Sequence, residues 1–220
     1  AHPAAGIGAY PAPRIRWCVT MFRPLLTRAS AVALVAACAV LPPTAAAQPE
    51  PGGATPTLPV FTPHPSDWSP DYTVFPYNLW QIRVTPEQLT AERESCQWIN
   101  AQYADLMNQV YGFQHFLADQ DDDWSRPGVT EAGDIVAANL DQSAAFLDPR
   151  AHTHFIINYP DQSEYSPLFH GDSIYHLWYQ FTQISDKIKQ RLPAGVINAN
   201  IATANVYGSV IRDSGVCAGA

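Results

Sequence analysis

The stretch TPEQLTAERESCQWINAQYADLMNQVYGFQHFL, residues 85–117, decides the fold. It opens on Thr85, whose hydroxyl can accept from the N–H three residues on, then Pro86, whose fixed φ and missing N–H suit the first helical position. Gln88 can reach back to the Thr85 N–H and completes a capping box. Behind it come Leu89 and, two turns on, Cys96, after which Ile99, Tyr103, Leu106, Val110, Phe113 and Leu117 recur at steps of three and four, the period that lines one face of an α-helix. The spacing predicts one long amphipathic helix of about 30 residues, roughly 45 Å at 1.5 Å per residue. Asp119-Gln120-Asp121-Asp122-Asp123 ends it, because carboxylates are disfavoured at the negative end of a helix dipole, and the acidic run reads as an exposed, solvated loop.

Downstream the same period recurs. A helix from about Thr130 carries Ile135, Val136, Leu140, Ala144 and Leu147 and is expected to stop at Asp148-Pro149, where Asp148 caps a short helix over Arg150 to Ile157. A third long helix, capped by Asp172, presents Ile174, Leu177, Trp178, Phe181, Ile184 and Ile188 and stops at Leu192-Pro193. The last, from Ala194 to about Asp213, presents Ile197, Ile201, Ala204, Gly208 and Ile211, with small residues that permit close packing. No segment sustains period-2 alternation. Residues 85–220 are therefore expected to form an all-α bundle of four main helices plus short ones.

Upstream the composition changes. Of 20 prolines, 14 precede residue 85, so the front of the chain is Pro-rich and the back is conventional. Residues 48–84 read as an extended arm or linker, and Phe61, Trp68, Tyr72, Phe75, Tyr77 and Trp80 are too many aromatics for a purely solvated one. Met21 opens basic Phe22-Arg23-Pro24-Leu25-Leu26-Thr27-Arg28, then an apolar run from Ala29 to Leu41, then Pro42-Pro43-Thr44-Ala45-Ala46-Ala47. That order is a secretory signal peptide, 21–47, cleaved before Gln48. Its apolar run is too short to span a bilayer, which takes about 20 helical residues, and no transmembrane helix is expected in the mature chain. Residues 1–20 are an upstream extension outside the mature protein. Val35-Ala36-Ala37-Cys38 offers an alternative, a lipobox with a lipid anchor at Cys38; the Ala-x-Ala site beyond it favours simple cleavage and a secreted or extracytoplasmic envelope location.

Cleavage before Gln48 leaves two cysteines, Cys96 and Cys217, in an oxidising compartment, and a disulfide between them is expected. It would close a loop of about 120 residues, worth on the order of 4–5 kcal/mol in the chain-entropy account. All 20 acidic residues lie at or after Glu50 while Arg14, Arg16, Arg23 and Arg28 lie in front, so the exported part carries about −12. Such a surface repels phosphate backbones, and nucleic acid is excluded as a partner.

Asp121-Asp122-Asp123 lacks the alternating ligands, the glycine and the bidentate Glu of a calcium loop. His152, His154, His170 and His176, with Tyr159, Tyr165 and Tyr175, are types that ligate haem or transition metals, but His152 and His154 diverge on a helix and the spacing fixes no geometry. No nucleophile elbow and no Gly-rich phosphate loop occurs. The reading is a non-enzymatic protein with no cofactor and no metal. The informative region is Glu164 to Trp178, a loop with aromatic anchors, then Gly171, then a helix; the residues expected to make contacts are Tyr159, Tyr165, Phe169, His170, Tyr175 and Trp178.

The order Glu164-Tyr165-Ser166, Phe169, Gly171-Asp172 and Trp178, set between Cys96 near the start of the first helix and Cys217 just past the last, resembles a family of small secreted helical proteins from mycobacteria and relatives linked to export of siderophores, the mycobactins. The resemblance covers about Cys96 to Cys217. It implies an accessory or binding protein of the cell envelope that contacts an envelope transporter or its siderophore cargo. A looser similarity, to actinobacterial secreted haem-binding proteins, implies a haemophore-like alternative, and a structural envelope protein without a small ligand is the third reading.

Overall fold

The computed structural model describes residues 55–71, 84–154, 156–157, 164–165 and 170–220, all within the compact unit Ala47–Ala220. The extension 1–20, the export segment 21–47 with Cys38, the arm residues 48–54 and 72–83, and Tyr159 and Phe169 lie outside the described residues.

The capping box forms in full. The Thr85 hydroxyl accepts from the Gln88 N–H at 3.2 Å and Gln88 Oε1 accepts from the Thr85 N–H at 3.0 Å, so α1 (Pro86–Trp98) starts where the sequence places it. The long helix is not uniformly α-helical, however. It passes through a π-helical turn, Ile99–Tyr103, before continuing as α2 (Ala104–Asp119). Ser95, Cys96, Gln97, Trp98 and Ile99 are buried in an unbroken row, which one flat packing surface cannot do to a helix. Two different surfaces cover it: Gln97 and Gln102 hydrogen-bond to the arm, while Trp98 meets Phe181 and Tyr103 meets Gly208. Both pairs step by five residues, the π repeat.

Helix α3 (Val129–His154) overturns the expected break at Asp148-Pro149 and the separate short helix after it, because it runs straight through Pro149. Proline deletes one N–H and crowds the carbonyl four residues back. The last turn nevertheless carries fully buried Ala151 and His154, and packing of that turn overrides the local penalty. Beyond it Ile156–Ile157 (β1) and Glu164–Tyr165 (β2) form a short antiparallel ladder with Ile156 opposite Tyr165. Two-residue strands are too brief for an alternation to show in sequence.

In helix α4 (Gly171–Lys189) the N-cap position falls on His170 rather than Asp172, without a side-chain capping hydrogen bond. His170 adopts the left-handed conformation (φ 62°, ψ 15°), and Asp172 lies in the first turn, where its charge suits the helix dipole. Helix α5 (Ala194–Ser214) begins after Pro193, which has no side chain able to cap. Its cap comes from the acidic run: Asp122 Oδ1 accepts from the Ala194 N–H at 2.7 Å. Asp123 accepts from the Ser125 N–H at 2.9 Å and hydroxyl at 2.6 Å. The run is thus a folded joint between α2, α3 and α5, with Asp121 and Asp122 in left-handed conformations (φ 55° and 59°), and more than a solvated loop.

Counting α1 and α2 as one rod, four main helices pack together, as expected. Helix α3 lies against α4, α4 against α5, and the rod against α3 and α5. Leu106, Leu117, Leu140, Leu147, Leu177, Phe181, Ile184 and Ile197 form the core, with the Trp98 and Phe181 rings edge to face at 5.8 Å. Cys96 in α1 is joined to Cys217 just past α5, with Cα atoms 4.8 Å apart and a sequence separation of 121. Among the described residues no helix is long and apolar enough to cross a membrane.

Residues 55–71 of the arm have no regular secondary structure and lie across α1, α2 and α3. Leu58 is buried, and Phe61 stands edge to face on Phe146 at 4.9 Å. The Arg150 guanidinium covers the same Phe146 ring at 3.6 Å and donates from Nε to Glu94 at 2.8 Å. Further along, Trp68 Nε1 donates to the Ala218 carbonyl at 3.0 Å, beside the disulfide.

Candidate functional site

Of the six residues expected to make contacts, the structure brings two together. Tyr175 and Trp178, one helical turn apart on α4, have ring centroids 5.3 Å apart. The last turn of α3 adds His152, edge-on to Trp178 at 4.7 Å and to Tyr175 at 5.5 Å. Tyr175 and Trp178 are partly exposed and His152 is exposed. The row continues through His176, 5.7 Å from Tyr175, to Tyr207 on α5, whose ring stacks on His176 at 4.8 Å and 20°. Three helices thus present a contiguous face of five rings. His170 stands at the head of α4, partly buried; desolvation lowers its pKa against the raising effect of Asp172. Tyr165 is placed by its backbone in β2, and Tyr159 and Phe169 lie outside the described residues.

His152, His176 and Tyr207 were not among the expected contact residues. Tyr175 and Trp178 betray themselves by helical spacing inside one aromatic-rich segment, which also holds His176, whereas His152 and Tyr207 stand on α3 and α5, and only the continuation of α3 through Pro149 carries His152 to Trp178.

Geometry also sets the chemistry of His152. Its Nδ1 lies 2.9 Å from the Asp148 carbonyl and 3.2 Å from the Asp148 carboxylate. Two Asp148 oxygens at Nδ1 fix the orientation of the ring and leave its Nε2 edge turned away from them.

His154, two residues on, points the opposite way and is fully buried. Its ring faces the Ala91 backbone without either nitrogen reaching hydrogen-bonding geometry, and burial lowers its pKa to about 4, so it is neutral. Glu92 on α1 is equally buried with both carboxylate oxygens unpaired, and burial raises its pKa well above the usual range. An unpaired buried acid stays protonated. These two groups are neutral core residues, and His154 is not placed to meet a surface ligand. An open groove of about 380 Å³ between the start of α1 and the end of α3 is lined by Thr90, Pro149 and Thr153 with the paired Glu94 and Arg150. Among the described residues no three His, Cys, Asp or Glu side chains are grouped to hold a metal ion.

Comparison of the chain with protein-family models, curated proteins and solved structures gave no match.

Proposed function

We propose that the chain is an exported accessory protein of the cell envelope that binds through the ring face of α3, α4 and α5 and supports siderophore secretion by contacting the exporter or its cargo. The observation that carries the reading is the triangle of His152, Tyr175 and Trp178 within 5.5 Å of one another at the surface. Aromatic side chains packed on rigid helices contribute large contact area at small entropic cost and accept planar partners by offset or edge contacts. An extracytoplasmic location is supported by the Cys96–Cys217 bond, since disulfides persist in oxidising compartments, and by the signal-like order of residues 21–47. The siderophore link rests on the family resemblance.

The test is titration of the oxidised protein with iron-loaded siderophore, followed by tryptophan fluorescence, and with the extracytoplasmic part of the exporter. Saturable binding of one of them, lost in His152→Ala and Tyr175→Ala at unchanged thermal midpoint, is the expected result. Binding of neither rejects the proposal.

The haem-carrier alternative is favoured by one observation, the two Asp148 oxygens at His152 Nδ1. A carboxylate and a carbonyl behind Nδ1 of an exposed imidazole are the contacts that would orient Nε2 toward a haem iron. It predicts a Soret band on titration with haemin that disappears in His152→Ala and is unaffected in His154→Leu. A structural envelope protein predicts silence in every titration.

A further inference from the structure

The contacts of the arm are made in an unusual manner: side-chain amides of the bundle hold its main chain. Asn139 Oδ1 accepts from the Leu58 N–H at 3.0 Å and its Nδ2 donates to the Pro56 carbonyl at 3.0 Å. Gln109 adds a second donor to Pro56 at 3.1 Å. Gln97 takes both ends of one residue, accepting from the His64 N–H at 3.2 Å and donating to the His64 carbonyl at 3.1 Å. Gln102 and Gln142 donate to the Pro59 carbonyl at 2.6 and 2.9 Å. Meanwhile the side chains of Pro56, Thr57, Pro59, Val60, Thr62 and His64 face solvent, so from Pro56 to His64 the arm is held by its backbone, by Leu58 and by Phe61.

One of these amides is half used. Gln102 is buried, yet its Oε1 has no hydrogen-bond partner. In extended chain the N–H and C=O of a residue point to the same side, so an amide opposite it can bind both, as Gln97 does at His64. At the Gln102 position the arm presents a proline, which has no N–H to give. The arm therefore leaves the Gln102 acceptor unused.

We propose that this amide-lined channel is a binding site for an extended peptide segment of a partner protein, one with leucine at the Leu58 position and a non-proline residue at the Pro59 position. The chain's own arm is its resident occupant and lacks the one donor that Gln102 Oε1 would accept. The site is separate from the ring face and does not depend on the function proposed for it.

The probe is a labelled peptide of residues 55–68, Thr55 to Trp68, and the same peptide with Pro59→Ala. The receptor is the full oxidised chain with Leu58→Asp and Phe61→Ser to loosen its arm. Saturable binding by fluorescence anisotropy is expected, with the Pro59→Ala peptide about five-fold tighter, one neutral hydrogen bond. Adding Gln102→Ala to the receptor removes that five-fold difference, which a general change in peptide stiffness would not do. Equal affinity of the two peptides, or no binding to a loosened chain that keeps its helical circular dichroism, overturns the proposal. Concentration-dependent dimers of the loosened chain that exclude the peptide also overturn it, since the channel would then serve self-association. Should the loosened chain not fold, Pro59→Ala in the intact chain gives an independent reading: hydrogen exchange at the Leu58 amide slows about five-fold if the missing bond forms and is unchanged if the proposal is wrong.

Discussion

Replacing Gly208 by alanine pits a local gain against a packing loss. Gly208 lies inside α5, where alanine is favoured by about 1 kcal/mol on helix propensity. The added methyl, however, would overlap Cε2, Cζ and Oη of Tyr103, more than about 1 Å inside ordinary van der Waals separation. Tyr103 has little room to retreat. It is buried to 1% exposure in the π turn, its hydroxyl donates to the Asn205 carbonyl at 3.5 Å, and the Arg212 guanidinium lies 5.8 Å from its ring centroid. Overpacking of this kind costs about 3 kcal/mol at the upper end of its range, so the net expectation is about 2 kcal/mol of destabilisation. For a domain of this size that lowers the thermal midpoint by roughly 4–8 °C. Scanning calorimetry with the disulfide intact measures it. The double variant Gly208→Ala, Tyr103→Leu should fall short of the summed single effects by about 1 kcal/mol or more, because the overlap is then gone. A raised or unchanged midpoint in Gly208→Ala would refute the account of how α5 approaches the rod.

Three further outcomes follow from the same structure. Removing the disulfide by Cys96→Ala with Cys217→Ala should cost about 4–5 kcal/mol in guanidinium unfolding, given the 121-residue separation. His154→Leu should flatten the acid limb of stability: the folded-state pKa of about 4 against 6.5 means that only the unfolded chain takes up this proton between those values. Its contribution is complete above pH 6.5, is lost as pH falls toward 4, and amounts to about 3 kcal/mol. Glu92 has the opposite sign, favouring the fold at low pH, so its slope should emerge in the His154→Leu chain. Pro149→Ala should stabilise by about 1–3 kcal/mol through restoring an N–H within α3, read as a higher urea midpoint at unchanged helical content.

The helical fold was legible because its signals are local or periodic. Thr85, Pro86 and Gln88 announce α1 by chemistry confined to four residues, and the stripe from Ile197 to Ile211 needs only the 3.6 period. Errors arose where distant chain decides. Asp148-Pro149 carries a true local stop signal, defeated by the burial of Ala151 and His154. Gln97, Gln102 and Asn139 carry no local signal, since nothing nearby in sequence announces an arm that passes over them; the one hint is a row of five buried positions at Ser95–Ile99, which is visible only once the fold is known. For the ring face, Tyr175 and Trp178 were within reach of a periodic reading. His152 and Tyr207 depend on how three helices align.

The bond between Cys96 and Cys217 also settles how the domain bears tension. A pull applied between the arm and the C-terminus runs through α1 as far as Cys96, crosses the sulfurs to Cys217 and leaves by Ala220. The π turn, α2, α3, α4 and α5 all lie on the closed ring beside that path and carry no end-to-end load. While the bond is oxidised, stretching can peel the arm and the first turns of α1 but cannot draw out the ring, so the unfolding length is short. Reduction adds the whole ring to the extensible chain, making the force response of this domain a direct report of its redox state.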